Sequence, residues 1–350
     1  MISPEFPEYR AAASRKMRIL IAFLIVAAIL SLTTIGLNRY ADLTFAEAFK
    51  TLIDHLTGNP SGSGNDDFVI WDRMVPRAIM AVCVGCVLGL GGAVMQIVLQ
   101  NPLADPYNTG ISSGAGVGAT LFLIMGIAVV PGLSDYSSMV VNSFLFSLIP
   151  VALIILISQF KRMSPSQMIL IGIGVMFYFS ATNTIMMLMA DPSDLKGAYF
   201  WTMGNLGNTE WSHIPLVVAV TAAGSILLLS LQRKLGILSA GDNYAVSVGV
   251  DPLRLRRIVL VITSLMVAAV VCFSGTIGFV GIIAPHLARM GLGSDTRHLL
   301  PASMILGTAI MLLADSAAKL LIVPVGVVTS IIGAPLFLII LMKMKRSAWT

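Results

Sequence analysis

Ten apolar segments divide the chain, near residues 18–36, 74–100, 109–130, 138–160, 166–190, 213–232, 258–275, 277–291, 299–322 and 325–342. A helix crosses a hydrocarbon core of about 30 Å with about 20 consecutive, mostly apolar residues. The pattern therefore predicts an all-α, polytopic membrane protein with about ten transmembrane helices. The first segment follows Arg10, Arg15, Lys16 and Arg18, as the apolar part of a signal peptide would. It is long, and no small-residue cleavage pattern precedes Asn38, so it reads as a retained helix behind a tail of residues 1–17.

The polar intervals are unequal. The longest expected outer ones are 37–73, which contains the stretch GNPSGSGNDD, and 191–212; both are expected at the surface, with a short amphipathic turn around Phe45 to His55. The longest inner interval is 233–257. Gly85, Gly89 and Gly92 fall on or near one helix face, and Gly114 and Gly118 repeat the small-xxx-small spacing that lets helix backbones approach closely. Pro76, Pro150, Pro215, Pro285, Pro301, Pro324 and Pro335 lie within or at the ends of apolar segments, where each removes a backbone donor and bends or ends a helix. Broken helices of this kind are common in transporters and channels.

Composition strengthens the membrane reading and charge gives it a direction. Of 350 residues 57% are apolar and 11% charged, against about 25% charged in soluble domains. With the N-terminus inside, sixteen of the 22 cations fall on the inner side, among them Arg10, Arg15, Lys16, Arg18, Lys161, Arg162, Arg233, Lys234, Arg254, Arg256, Arg257, Arg289 and Arg297. The outer side keeps Arg39, Lys50, Arg73, Arg77, Lys196 and Lys319. Lys and Arg resist translocation, so this asymmetry places both termini in the cytoplasm and requires an even helix count. Sixteen inner cations face six acids and six outer cations face eleven, so the net +5 is the sum of a basic inner and an acidic outer face. No basic run is interleaved with aromatics, which argues against nucleic-acid binding.

The catalytic vocabulary is sparse. There is no GxxxxGK[ST] loop, no HExxH and no GxSxG, so the chain does not bind ATP through a P-loop of its own. Cys83 and Cys86 have CxxC spacing without a second ligand pair and read as helix packing, and His55, His213, His286 and His298 are scattered. Asp315 and Lys319 stand four apart, acid before base, which suits a mutual pair; a partner contact for Lys319 is the alternative. No unpaired mid-membrane ionisable residue stands out, which argues against ion coupling. The stretch NPLADPYNTGISSGAGVGA, 101–119, stops one helix at Pro102 and Pro106 and opens the next with free backbone donors. It is either a tight re-entrant-like turn or a connector.

NPLADP followed by GISSGAG resembles the signature of the FecCD-type permeases, the membrane subunits of ABC importers for iron-siderophore complexes, haem and cobalamin. RMVPRAIMAVCVGCVLGLGGAVMQ at 73–96, FWTMGNLGN at 200–208, GTIGFVGIIAPHLARMGLGSDTRHLLP at 275–301 and VPVGVVTSIIGAPLFLIIL at 323–341 match in the family's order. The resemblance implies one permease domain over 1–350 in a plasma or inner membrane, dimerised with itself or a paralogue. Two ABC ATPase subunits dock inside and a substrate-binding protein docks outside. The chain itself holds no cofactor, and ATP with its magnesium belongs to the ATPases.

The resemblance also assigns roles. The inner loop between the sixth and seventh helices becomes the ATPase contact, with Asp242, Ala245, Gly249 and Arg254 at its motif. Arg73, Arg77 and Lys319 become docking cations for the binding protein, with Arg73 one position off the family spacing. Lys319 would pair as an ammonium without the guanidinium fork. Ser164 and Ser166, with Ser112 and Ser113, fall in pore and gate regions, while Ser164 before Pro165 also suits a helix cap. The cargo implied is an iron-siderophore complex, with haem, cobalamin and oxyanions such as molybdate as alternatives. The competing class is an ion-coupled secondary carrier.

Overall fold

The computed structural model describes residues 7–37, 43–58, 64–160 and 163–343. Arg39, Lys161, Arg162, Lys345, Arg346, residues 1–6 of the tail and residues 59–63 of the Gly/Ser/Asn stretch lie outside the described residues. In chain order the helices are α1 (Pro7–Gly36), α2 (Phe45–Leu56), α3 (Gly64–Asp67), α4 (Val75–Val98), α5 (Ile111–Met125), α6 (Asp135–Phe160), α7 (Pro165–Leu188), α8 (Pro192–Thr202), α9 (Ile214–Ser230), α10 (Gln232–Ser239), α11 (Asp242–Ser247), α12 (Pro252–Ser274), α13 (Val280–Leu292), α14 (Thr296–Leu321) and α15 (Val325–Lys343). Among the described residues there is no strand. Seven helical stretches are long and apolar enough to cross a membrane, and α5, α13 and α15 are shorter apolar helices. Together they account for the ten apolar segments.

Helix α4 is the axis of the molecule. It is apolar on every side, and 89% of its most apolar window is buried, against 22% for α1 and 17% for α7. A helix hydrophobic all round belongs in a core, and glycine lets neighbours close on it. A Cβ on Gly85 or Gly89 would strike the backbone of α14 at Gly307 and Ser303, and one on Gly92 would strike Gly281 of α13. Gly114 and Gly118 bring α5 equally close to Phe146 and Asn142 of α6. The small-residue spacing thus marks two real backbone contacts. Cys83 and Cys86 are buried in α4, and Cys272 is buried in α12.

Two expected surface segments are built differently. Within 37–73, α2 begins with a reciprocal cap between Thr44 and Glu47. The chain is helical again from Gly64 and runs through a π-helical turn, Phe68–Met74, into α4. Asp72 and Arg73 interrupt the apolar run, and so the helix starts ten residues before hydropathy alone places it. Within 191–212, Ala198, Trp201, Leu206 and Thr209 are buried. Asn205 N–H donates to Ser274 O at 2.7 Å and Gly326 N–H to Gly204 O at 3.2 Å. Gly204, Gly275 and Gly326 leave no side chain at this crossing, so two non-helical stretches and the first turn of α15 meet inside the protein instead of lying on it.

Candidate translocation path and its two ends

Beside that crossing lies an open cleft of about 720 Å³. Its walls come from the start of α5 (Ser112, Ser113, Gly116), the C-terminal half of α7 (Ser180, Asn183, Thr184), the end of α8 (Thr202), the link between α12 and α13 (Thr276, Gly278) and the start of α15 (Gly326, Ser330). Tyr107, Met176, Met187, Tyr199, Met203, Val327 and Ile331 complete it, and among the described residues no charged side chain lines it. Irregular backbone at membrane depth is tolerated where it borders protein or a water-filled cavity. Hydroxyls and amides without a fixed charge pass a polar cargo without trapping it. Ser112 and Ser113, expected at the pore, are in this wall. Ser164 and Ser166 are exposed at the far start of α7, where Ser164 Oγ accepts from Gln167 N–H and Gln167 Oε1 accepts from Ser164 N–H.

At the N-terminal end of α4 three ionisable side chains close on one another. Arg77 Nε donates to Asp315 Oδ1 at 2.8 Å. Lys319 Nζ is 3.2 Å from Asp315 Oδ2 and donates to Thr34 O at 2.8 Å. All three are buried. Lys319 is therefore a member of an internal ion cluster joining α1, α4 and α14, and pairing is the alternative that holds for it. Arg77 and Lys319 do not reach a surface in this conformation. Of the three expected docking cations only Arg73 is part-exposed, 3.7 Å from Glu210 and over the Phe68 ring. Next to it His55 stacks on Trp71, and Trp211 Nε1 donates to Trp71 O at 3.0 Å.

At the opposite end the 233–257 interval folds into α10, α11 and the start of α12. Helix α11 closes with paired bonds, Val250 N–H to Ala245 O at 2.8 Å and Gly249 N–H to Val246 O at 3.0 Å, with Gly249 left-handed at φ +81°. Glycine alone takes that position without strain. Ala245 is fully buried, while Gly249 and Arg254 are exposed. Asp242 receives both terminal nitrogens of Arg256, at 2.8 and 2.6 Å. That guanidinium holds the Asp242 carboxyl below the usual carboxylate range.

Arg256 carries more than its place in a basic run implies. It is buried, and its Nε also donates to Val98 O at 2.6 Å. A signal was present in the sequence: Val259, Leu260 and Thr263 lie three, four and seven residues on, so Arg256 shares the buried stripe of α12. A second tie has no local sequence signal: Arg289 Nη1 donates to Gln96 Oε1 at 2.5 Å and joins α13 to α4.

The model of the FecCD transport family matches residues 14–343. The chain belongs to the FecCD transport family. The hemin transport system permease protein HmuU of Yersinia pestis is 32% identical over 94% of this chain and 97% of that protein. The molybdate import system permease protein MolB of Haemophilus influenzae is 32% identical over 94% of this chain and 96% of that protein. A solved structure described as an inward-facing metal-chelate type ABC transporter superposes with a TM-score of 0.81 at 31% identity, covering 93% of this chain and 99% of that one. This FecCD chain is accordingly an all-α, multi-pass permease of the ABC importer class.

Proposed function

We propose that this FecCD permease forms one half of the path by which a metal chelate of the iron-siderophore type crosses a plasma or inner membrane. The observation that carries the reading is a cleft without charged side chains, where serine and threonine hydroxyls and the Asn183 amide stand among methionine, tyrosine and aliphatic side chains, open along α7, the least buried of the long apolar helices. Ser180 and Thr184 are exposed there, and a lipid tail offers such groups no partner. A second permease copy, identical or paralogous, faces the cleft and completes an aqueous path. Haem, cobalamin or an oxyanion is the alternative cargo, and the uncharged wall suits selection by a separate binding protein.

In this reading residues 1–350 are a single domain with both termini in the cytoplasm. The interval 233–257 meets two ABC ATPase subunits, which bind and hydrolyse ATP with magnesium, and Arg73 faces the binding protein outside. A rigid helical segment seated on an ATPase transmits its closure as a push. The test is Gly249→Pro in the complex reconstituted with its ATPase and binding protein, with a ferric hydroxamate, haem, cobalamin and molybdate as uptake probes. Proline cannot take φ +81° and loses the bond to Val246, so α11 loses its end and ATP-driven uptake collapses. Undiminished uptake overturns the coupling assignment.

A further inference from the structure

The turn that follows α4 contains an avoidable cost. Gln100 is left-handed at φ +48°, closing α4 with Asn101 N–H to Gln96 O at 3.1 Å and Gln100 N–H to Ile97 O at 3.2 Å. Glycine is the residue this position favours, because a Cβ is strained there. Glutamine brings a side chain that glycine lacks, and its Nε2 donates to Asp242 Oδ1 at 2.9 Å. Asp242 is in turn held by the Arg256 fork, and Arg256 Nε holds the carbonyl of Val98, the last residue of α4. The first residue of α11, the buried stripe of α12 and the end of α4, which lies about 140 residues earlier in the chain, are thus joined by four polar contacts around one carboxylate and one guanidinium. A bidentate Arg–carboxylate pair fixes orientation as well as distance.

The chain beyond Gln100 is equally constrained. Leu103 N–H donates to Asn101 Oδ1 at 2.9 Å, and Tyr107 N–H donates to Asp105 Oδ1 at 2.8 Å. The Tyr107 hydroxyl accepts from Ile277 N–H at 3.2 Å, and Tyr107 lines the cleft beside Ser112. The turn between α11's contact at Gln100 and the wall of the path is therefore held in shape by a series of local bonds.

We propose that Gln100, Asp242 and Arg256 are positioning residues that clamp α11 to the 99–110 turn, so that displacement of α11 moves the inner part of the cleft wall as one body. The inference rests on the reading of α11 as the ATPase contact. Buried packing at Ala245 holds α11 in place; the clamp decides where its motion goes. Strain at Gln100 is retained because only a side chain there reaches Asp242.

The discriminating variant is Gln100→Gly, which relieves the backbone strain and removes the reach to Asp242, so folding is preserved. The native cysteines are buried, and Ser112→Cys therefore supplies a selective thiol in the cleft. In the permease–ATPase complex in proteoliposomes, labelling of Ser112→Cys by a charged methanethiosulfonate is measured without nucleotide and with Mg-ATP plus vanadate. The clamp predicts a change of at least about fivefold with Gln100 present and less than about twofold with Gln100→Gly, at an unaltered ATP hydrolysis rate. Asp242→Ala repeats the loss and Asp242→Glu restores the response. An undiminished labelling change in Gln100→Gly, no labelling change even with Gln100 present, or a parallel loss of ATP hydrolysis and ATPase co-purification overturns the proposal. If Gly249→Pro abolishes uptake while Gln100→Gly leaves the labelling response intact, the clamp alone falls; if Gly249→Pro is silent, the coupling reading falls with it.

Discussion

Replacing Asp315 by alanine strands Arg77 and Lys319 in the interior with no carboxylate between them. The three side chains are 6%, 0% and 1% exposed, and the two cation–oxygen distances are 2.8 and 3.2 Å. Removing one member of a buried pair costs about 3–5 kcal/mol, because the remaining charge stays desolvated. Here two cations are left, and Lys319 keeps only the Thr34 carbonyl. Lys319→Met, in contrast, leaves Arg77 and Asp315 paired and is expected to cost about 1–3 kcal/mol. At about 2–4 °C per kcal/mol, Asp315→Ala lowers the melting midpoint of the detergent-solubilised protein by about 6–20 °C, clearly more than Lys319→Met. Fluorescence-detected size-exclusion chromatography after a heat step reads both. An Asp315→Ala midpoint within about 2 °C of the parent, or a larger loss for Lys319→Met, refutes the ion cluster as the clasp of α1, α4 and α14.

The Asp242 carboxyl is held below its ordinary range, so the folded form binds fewer protons than the unfolded one, and the stability it supplies is present above the ordinary carboxylate pKa. That contribution is lost only as pH falls through the depressed value: thermal stability is expected to hold from pH 7 to 5 with respect to this group, and the difference between the parent and Asp242→Asn to shrink below about pH 4. A difference that vanishes between pH 7 and 5 contradicts the Arg256 pairing. Gly89→Leu drives a side chain into the backbone of Ser303 in α14 and is expected to destabilise by at least about 1–3 kcal/mol; a thermal midpoint equal to the parent's contradicts the close contact of α4 with α14.

The legible part of the fold was the part written in local spacing. Ten apolar segments, the glycine stripe of α4 and the Ser164 cap follow from neighbours along the chain. The pairing of Asp315 with Lys319 was visible as one helical turn, but Arg77 joins them from 238 residues away, and no local pattern records that. The three arginines at 254, 256 and 257 are alike in composition, and only the phase of the α12 stripe separates the buried one from the other two. The cleft was least visible, since Ser112, Ser180, Thr202 and Thr276 come from four separate elements. The helical run from Gly64 that leads into α4 was missed because its π-helical turn carries charge within a continuous helix. The 191–212 interval looked like a surface loop because its glycines signal turns, whereas in the fold they admit close backbone contacts.

The central claim is that transport through this chain is driven by ATP hydrolysed on another subunit. Proteoliposomes holding the permease alone, or the permease with its ATPase and binding protein, are compared for accumulation of a ferric hydroxamate, haem, cobalamin and molybdate under an imposed proton or sodium gradient and under internal or external ATP. Accumulation of one of these cargoes only in the complete assembly, only with ATP on the ATPase side and without any ion gradient, is the expected result. Gradient-driven accumulation by the permease alone contradicts it.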